Sequence, residues 1–203
     1  MRHVVWDMGG TLIDTYPEVD RALARAVHGP EPTVGQLREV AHLTRISSAH
    51  AIGELATRYG VDESRVRAAY DDLKALWRRD PAPVMPGARE VMAAVRAAGK
   101  LNLVVTHRDR ASATTLLEGH GLQVDDMVCA PDGYRRKPDP QMFVTLLNRH
   151  QLTPSDVIAV GDRAIDGAAA QAAGVRAYLL VTPGIAVPTP HASAIAHLTE
   201  LLP

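Results

Sequence analysis

Five short apolar runs punctuate this chain: HVVW (3–6), LNLVVT (101–106), MVCA (127–130), VIAVG (157–161) and AYLLV (177–181). They are rich in Val, Ile and Leu and lack the apolar–polar alternation of a half-solvated strand. They read as strands covered on both faces. Helical patterns separate them. PGAREVMAAVRAAG (86–99) opens on Pro86 and closes on Gly99, sound helix punctuation, and DRASATTLLEGHG and DPQMFVTLLNRHQ follow the next two strands. Strand–helix alternation of this kind predicts an α/β fold built on a parallel sheet.

One region departs from the alternation. Between Thr15 and about Pro83 no run reads as a strand, and up to four helical patterns take its place. The clearest, DESRVRAAYDDLKALWRR, sets Val66, Tyr70, Leu73 and Trp77 on one face. These residues are expected in the core of a small helical bundle rather than in a substrate wall. The segments TYP (15–17) and DPAPVMPG (80–87) read as the two hinges of an all-α insert. TPGIAVPTPHAS, near the C-terminus, reads as a Pro-rich surface turn followed by a short helix.

At 203 residues and 46% hydrophobic, the chain can bury one sizeable core with a small attached domain. A formal net charge of −1 gives no electrostatic reason to expect nucleic acid or an anionic membrane surface as partner. Cys129 is the single cysteine, so an internal disulfide is impossible, which suits a reducing compartment. Asp7 interrupts the N-terminal apolar run too early for a signal peptide. The apolar stretches are also far too short to cross a bilayer. A soluble cytoplasmic protein is therefore expected. No feature specifies an oligomeric state.

The chemistry-bearing residues fall just past strand ends, where parallel sheets gather functional groups. VVWDMGGTLID presents Asp7 after the first strand. Gly9 and Gly10 strip side chains from the following turn, so its N–H groups can approach an anion, and Thr11 adds a hydroxyl. The second strand delivers Thr106 and the backbone of His107. YRRKPDP delivers Lys137, one of three lysines against nineteen arginines. GDRAID, after the fourth run, presents Asp162 and Asp166. A carboxylate pair beside Asp7 is a hard-oxygen site suited to Mg²⁺. Nucleophilic carboxylate, divalent cation, hydroxyl and N–H cradle, and fixed ammonium together form a set of parts for phosphoryl transfer through an acyl-phosphate.

The order Asp7, Thr106, Lys137, Asp162 and Asp166 resembles the haloacid dehalogenase-like hydrolase superfamily, in its phosphatase-type branch. The matching segments are DMGGTLID, LVVTHRD, RRKPDP and VGDRAIDGAAAQAAG, and the resemblance covers essentially the whole chain. It implies a Rossmann-like three-layer parallel sheet core, residues 1–14 and 84–203, with an all-α cap over 15–83. It implies that Asp7 is the nucleophile, that Thr106 binds phosphate, and that Lys137 neutralises the nucleophile and the phosphoryl oxygens. Gly10, Thr11 and His107 complete the expected phosphate contacts. Asp7, Asp162, Asp166 and the backbone carbonyl of Gly9 are the implied Mg²⁺ ligands. The cap is expected to open for a small phosphorylated metabolite and close over it.

Gly9 stands where phosphatases of this superfamily carry a second aspartate, the general acid–base. Three outcomes follow. The favoured one is a phosphatase in which a cap residue, a water or an easy leaving group replaces that acid. The second is a phosphonatase-like or halide-displacing hydrolase. Phosphonate hydrolysis needs an imine-forming cap lysine, for which Lys74 is the one candidate, and halide displacement normally shows a bulky residue at Gly9. The third is a phosphate-metabolite-binding module with weak turnover. His107 and Arg108 are candidate substitute acids or phosphate contacts. Asp14 is a loop support or a turn acid. His42 and His50 are expected at the surface of the insert, and no His/Cys spacing suits zinc.

Overall fold

The computed structural model describes residues Met1–Pro203. Strand β1 (His3–Trp6) opens the chain, and four helices follow: α1 (Tyr16–His28), α2 (Val34–Thr44), α3 (Ser48–Tyr59) and α4 (Glu63–Leu76). The chain then alternates through α5 (Ala88–Ala97), β2 (Asn102–Thr106), α6 (Arg110–Gly119), β3 (Asp126–Cys129), α7 (Gln141–Arg149), β4 (Val157–Gly161), α8 (Ala164–Ala172), β5 (Arg176–Leu180) and β6 (Ser193–Ile195). The chain divides into two compact units, Met1–Asp14 with Pro83–Pro203 and Thr15–Ala82.

The larger unit is a six-stranded sheet in the order β3-β2-β1-β4-β5-β6, parallel throughout. Helices cover both faces, which is why the strands read as unbroken apolar runs. Val5, Leu103, Val105, Val128 and Ala159 pack with Met142, Phe143 and Leu146 of α7 and Ala169 and Ala170 of α8. On the other face α5 is pinned to β2, where buried Asn102 donates to the Met92 carbonyl at 3.0 Å and accepts from Trp6 Nε1 at 3.0 Å. β1 lies between β2 and β4, so the chain reverses its direction of winding there, and in open parallel sheets functional groups gather at the carboxyl ends of the strands at such a point.

Two elements differ from the sequence reading. β6 starts on Ser193, the last residue of the stretch read as a Pro-rich turn, and runs into the part read as leading to a terminal helix; its three residues are too few to announce a strand. The terminal helix is a single 3₁₀ turn, Leu198–Leu201. No helix is long and apolar enough to cross a membrane.

The smaller unit is a four-helix assembly around Val19, Leu23, Val40, Ile52, Leu55, Val66 and Trp77. Its helix starts are written in the sequence: Thr33 and Gln36 form a reciprocal capping box, Ser47 accepts from the His50 N–H, and Asp62 from the Ser64 N–H. Of the stripe expected on α4, Val66 and Trp77 are buried, whereas Tyr70 and Leu73 are half-buried. Trp77 directs its indole N–H to Glu18 at 2.5 Å. Asp20 accepts from Thr44 at 2.6 Å and from Arg45 at 2.7 Å, tying α1 to the end of α2.

Candidate active site

Asp7 follows β1 directly, and its N–H extends the ladder by donating to the Val160 carbonyl of β4 at 2.8 Å. Its side chain is thereby fixed at the carboxyl end of the sheet, between β1 and β4. The turn behind it closes on the Met8 carbonyl, which accepts the N–H groups of Leu12 and Ile13, both at 2.9 Å. Gly10, at φ +88°, supplies the left-handed residue this turn requires. Gly9 has no such backbone demand, because its φ is not positive. The turn leaves the Met8 and Gly9 N–H groups and the Gly9 carbonyl unused, but the Gly10 N–H donates to the Ile13 carbonyl at 2.8 Å. Of the two glycine N–H groups expected to face an anion, that of Gly10 thus closes its own turn. Asp14 is half-buried and donates its N–H to the Pro83 carbonyl at 2.8 Å, which holds the two ends of the helical insert side by side.

β4 ends in Gly161 and hands on to Asp162, whose Oδ1 accepts the Thr11 hydroxyl at 3.1 Å. Thr11 is therefore a support for Asp162. Asp166, in the first turn of α8, folds back over the strand end. Its Oδ2 accepts the Asp162 and Arg163 N–H groups at 3.2 and 2.9 Å, satisfying two donors at the helix start. Gly161 makes this possible, since a β-carbon there would lie 2.4 Å from the Asp166 β-carbon.

Lys137 comes from the segment between the 3₁₀ turn Ala130–Asp132 and α7, and a cis peptide bond joins it to Pro138. Its ammonium sits 2.5 Å from Asp7 Oδ1, 2.5 Å from Asp166 Oδ1 and 3.2 Å from the Val105 carbonyl, with its side chain 1% exposed. Thr106, the last residue of β2, is buried beside Val105, and its hydroxyl accepts the Arg108 N–H at 3.1 Å. His107 Nε2 accepts the Lys137 backbone N–H at 2.8 Å.

Burial is the largest influence on each ionisable group. It raises the Asp7 pKa above the ordinary carboxylate value, with the Lys137 charge opposing and Asp166 reinforcing the rise. At Asp166 burial also pushes upward, but Lys137, Arg163 and hydrogen bonds outweigh it, and the pKa is lowered. Lys137 is raised, because Asp166 and Asp7 outweigh its desolvation. His107 is lowered to about 3 by burial and by the charges of Lys137, Arg163 and Arg136. Its Nε2 is engaged by the Lys137 N–H, and burial and the neighbouring cations favour the neutral ring.

Asp7, Asp162 and Asp166 are all buried and present oxygens within 4.8 Å of one another. Lys137 is the one ammonium inserted among them. An all-oxygen donor set with this surplus of carboxylate charge fits a hard divalent cation such as Mg²⁺. Elsewhere, Lys74 pairs with Asp71 at 2.7 Å on a half-exposed surface, and His42 and His50 are exposed.

Sequence reasoning assembled the acids, Thr106 and Lys137, and missed two contributors. Gly161 was legible only as the glycine of GDRAID, since its reason is the carboxylate folded over it. Arg163, between the two acids, adds a positive charge felt by Asp7, Asp166 and His107.

Residues 1–174 match the family model of haloacid dehalogenase-like hydrolases. A phosphoglycolate phosphatase of Rhodospirillum rubrum is 30% identical over 185 residues, 85% of this chain and 76% of that one. An N-acetylmuramic acid 6-phosphate phosphatase of Pseudomonas aeruginosa is 27% identical over 185 residues, 87% of this chain and 80% of that one. Among solved structures, a hydrolase of the same family from Deinococcus radiodurans, with bound phosphate and sodium, superposes with a TM-score of 0.79 at 20% identity, over 99% of this chain and 93% of that one. With its motif residues converging at the carboxyl end of a parallel sheet and its family model matched over most of its length, this chain belongs to the haloacid dehalogenase-like hydrolases.

Proposed function

We propose that the protein is a Mg²⁺-dependent phosphomonoesterase acting on a small phosphorylated metabolite through a phosphorylated Asp7. The observation that carries this reading is the Lys137 ammonium, 2.5 Å from both Asp7 and Asp166 in a buried site. A carboxylate held against a fixed cation is poised to attack an anionic phosphoryl group, because the cation offsets the repulsion between the two anions. The phosphatase relatives support the same substrate chemistry, and phosphoglycolate is the first ester to assay.

In this reading an Asp7 oxygen attacks phosphorus, the ester P–O bond breaks, and the leaving alkoxide takes a proton from solvent or from the substrate. Water then attacks the acyl-phosphate, releasing inorganic phosphate and restoring the Asp7 carboxylate. Thr106 donates its hydroxyl to a phosphoryl oxygen, the N–H groups of Met8 and Gly9 donate to others, and Lys137 holds the charge. Asp7, Asp162, Asp166 and the Gly9 carbonyl would hold Mg²⁺, which when bound would supply further positive charge to offset that of the phosphoryl group. The helical unit Thr15–Ala82 serves as the cap that carries substrate selectivity. A lone buried cysteine suits a reducing cytoplasm, where we expect the enzyme.

A phosphonatase-type imine is less well supported. Lys74 is paired with Asp71 and half-exposed, whereas an imine-forming lysine is desolvated and free of a carboxylate partner.

The test is phosphate release from a panel of phosphomonoesters with Mg²⁺, run beside Asp7→Asn. Release by the wild type and loss in the variant are expected. Absence of release, or equal release by Asp7→Asn, overturns the proposal.

A further inference from the structure

Lys137 belongs to neither a helix nor a strand, yet its ammonium must meet two carboxylates at once. The segment around it is braced mainly on itself. The Arg135 N–H reaches Gln141 at 2.7 Å, the Asp139 N–H reaches the Arg136 carbonyl at 3.1 Å, and Arg135 pairs with Asp139 at 3.2 Å. None of these bonds refers the segment to the sheet. The His107 bond does, because His107 follows the last residue of β2 and Nε2 holds the Lys137 N–H at 2.8 Å. A lysine side chain has four rotatable bonds, so a fixed backbone N–H removes much of the freedom that would let the ammonium drift.

We propose that His107 is the positioning residue of Lys137: its neutral imidazole fastens the backbone of the lysine segment to the tip of β2, so that the ammonium reaches Asp7 and Asp166 together. The proton of this imidazole resides on Nδ1, because Nε2 is the acceptor. The burial and the cations Lys137, Arg163 and Arg136 that surround the ring keep it in this accepting form, with Asp166 opposing. The role deepens the phosphatase reading and rests on it for its kinetic consequence, although the geometric claim stands without turnover.

The test compares His107→Leu, which removes the acceptor, with His107→Gln, whose side-chain oxygen reaches about as far as Nε2. His107→Met serves if the leucine variant does not fold. The chain has three lysines, Lys74, Lys100 and Lys137, so isotope-labelled lysine gives a sparse amine spectrum in nuclear magnetic resonance. The wild type is expected to show one ammonium signal protected from solvent exchange, that of Lys137. The signal should collapse in His107→Leu, persist in His107→Gln, and leave those of Lys74 and Lys100 unmoved. With Mg²⁺ and a phosphomonoester, kcat should fall by about 10²-fold in His107→Leu with KM little changed, and recover in His107→Gln, as misplacement by about an ångström does in other sites. A folded His107→Leu that keeps both the protected signal and wild-type kcat overturns the proposal. Equal kcat losses in the leucine and glutamine variants, with the lysine signal intact, overturn it too. A wild type that releases no phosphate defeats the phosphatase reading alone, and the spectra still decide the role of His107.

Discussion

Gly161 and Asp166 share one space: a β-carbon on Gly161 would stand 2.4 Å from the Asp166 β-carbon and 2.7 Å from its carboxyl carbon. The glycine is needed for what lies above it, since its own φ is not in the left-handed region. The contacted atoms sit close to the backbone of α8, so the clash has no flexible end to yield. Gly161→Ala should lose about 1–3 kcal/mol of stability, the range for overpacking a close-packed site. It should also lift Asp166 off Lys137 and so lower Mg²⁺-dependent turnover. Urea unfolding and phosphate release measure the two effects, and a variant with wild-type values in both refutes this account.

Lys137 is flanked by two buried carboxylates, and removing it leaves both without their ammonium partner. Breaking a buried pair by deleting one member costs about 3–5 kcal/mol, because the remaining charge stays desolvated. Lys137→Ala should therefore be inactive and strongly destabilised in chelator. Added Mg²⁺ should return part of the lost stability, since it supplies positive charge to the same acids. Thermal unfolding with and without Mg²⁺ checks this, and a Lys137→Ala protein as stable as the wild type in chelator contradicts the pairing.

The carboxylate cluster makes a direct claim about metal. Asp7, Asp162 and Asp166 lie within 4.8 Å of one another, and Asp162 is steadied by Thr11 at 3.1 Å. A ligand that binds only the folded state stabilises it by about 2.7 kcal/mol at a hundred times its dissociation constant. The wild-type melting temperature should rise with Mg²⁺, and Asp162→Asn should abolish most of the rise. Thr11→Val should weaken it less, because Thr11 acts through Asp162. A melting temperature indifferent to Mg²⁺ in the wild type is the adverse result.

His107 gives an acid-side signature. Its folded pKa is lowered from 6.5 to about 3. A depressed pKa contributes stability that is fully present above the unfolded value and is lost as pH falls through the folded one. The window therefore runs from about pH 6.5 down to about pH 3, where the unfolded chain takes up a proton that the folded ring refuses. Measured as unfolding free energy against pH, the wild type should decline more steeply across this window than His107→Gln. Carboxylate titrations are common to both proteins and cancel in the difference. Parallel curves count against a buried neutral imidazole.

How much of this was open to the reader of the sequence depends on the range of the interaction. The first five strands and the insert helices are announced by local pattern, and caps such as Thr33 and Asp62 are written within two or three residues of their partners. β6 is silent, because Ser193, Ala194 and Ile195 form a strand only by pairing with β5. The strand-end positions of Asp7, Thr106 and Asp162 follow from the same local patterns. What those residues bond to does not. The Thr11 hydroxyl meets Asp162 across 151 residues and Lys137 meets Asp7 across 130, distances in sequence over which spacing carries no information. The role of His107, which holds the Lys137 N–H across 30 residues, is of this long-range kind, whereas Gly161 meets Asp166 within one turn and is hidden because only the folded-back carboxylate shows why a side chain has no room.

Gly9 and Gly10, adjacent in the chain, are glycines for different reasons. Gly10 has φ +88°, which side-chain-bearing residues rarely adopt, and Gly10→Ala should weaken the turn. Gly9 has no positive φ, its N–H and carbonyl take no part in the turn, and it is half-buried. Its φ does not demand a glycine, and this position beside Asp7 carries no acid. Gly9→Asp should therefore raise turnover of esters with poor leaving groups, by up to about 10²-fold, the lower end of what a positioned acid–base contributes. Esters with good leaving groups should gain less in the cleavage step, because their departure needs no proton. The rate against pH should acquire a limb that the wild type lacks, reporting the new carboxyl group. Steady-state kinetics of both proteins on an alkyl and an aryl phosphate, with Mg²⁺ and across pH, decide the matter. Equal rates and superimposable profiles would mean that the wild type already draws its proton from another group.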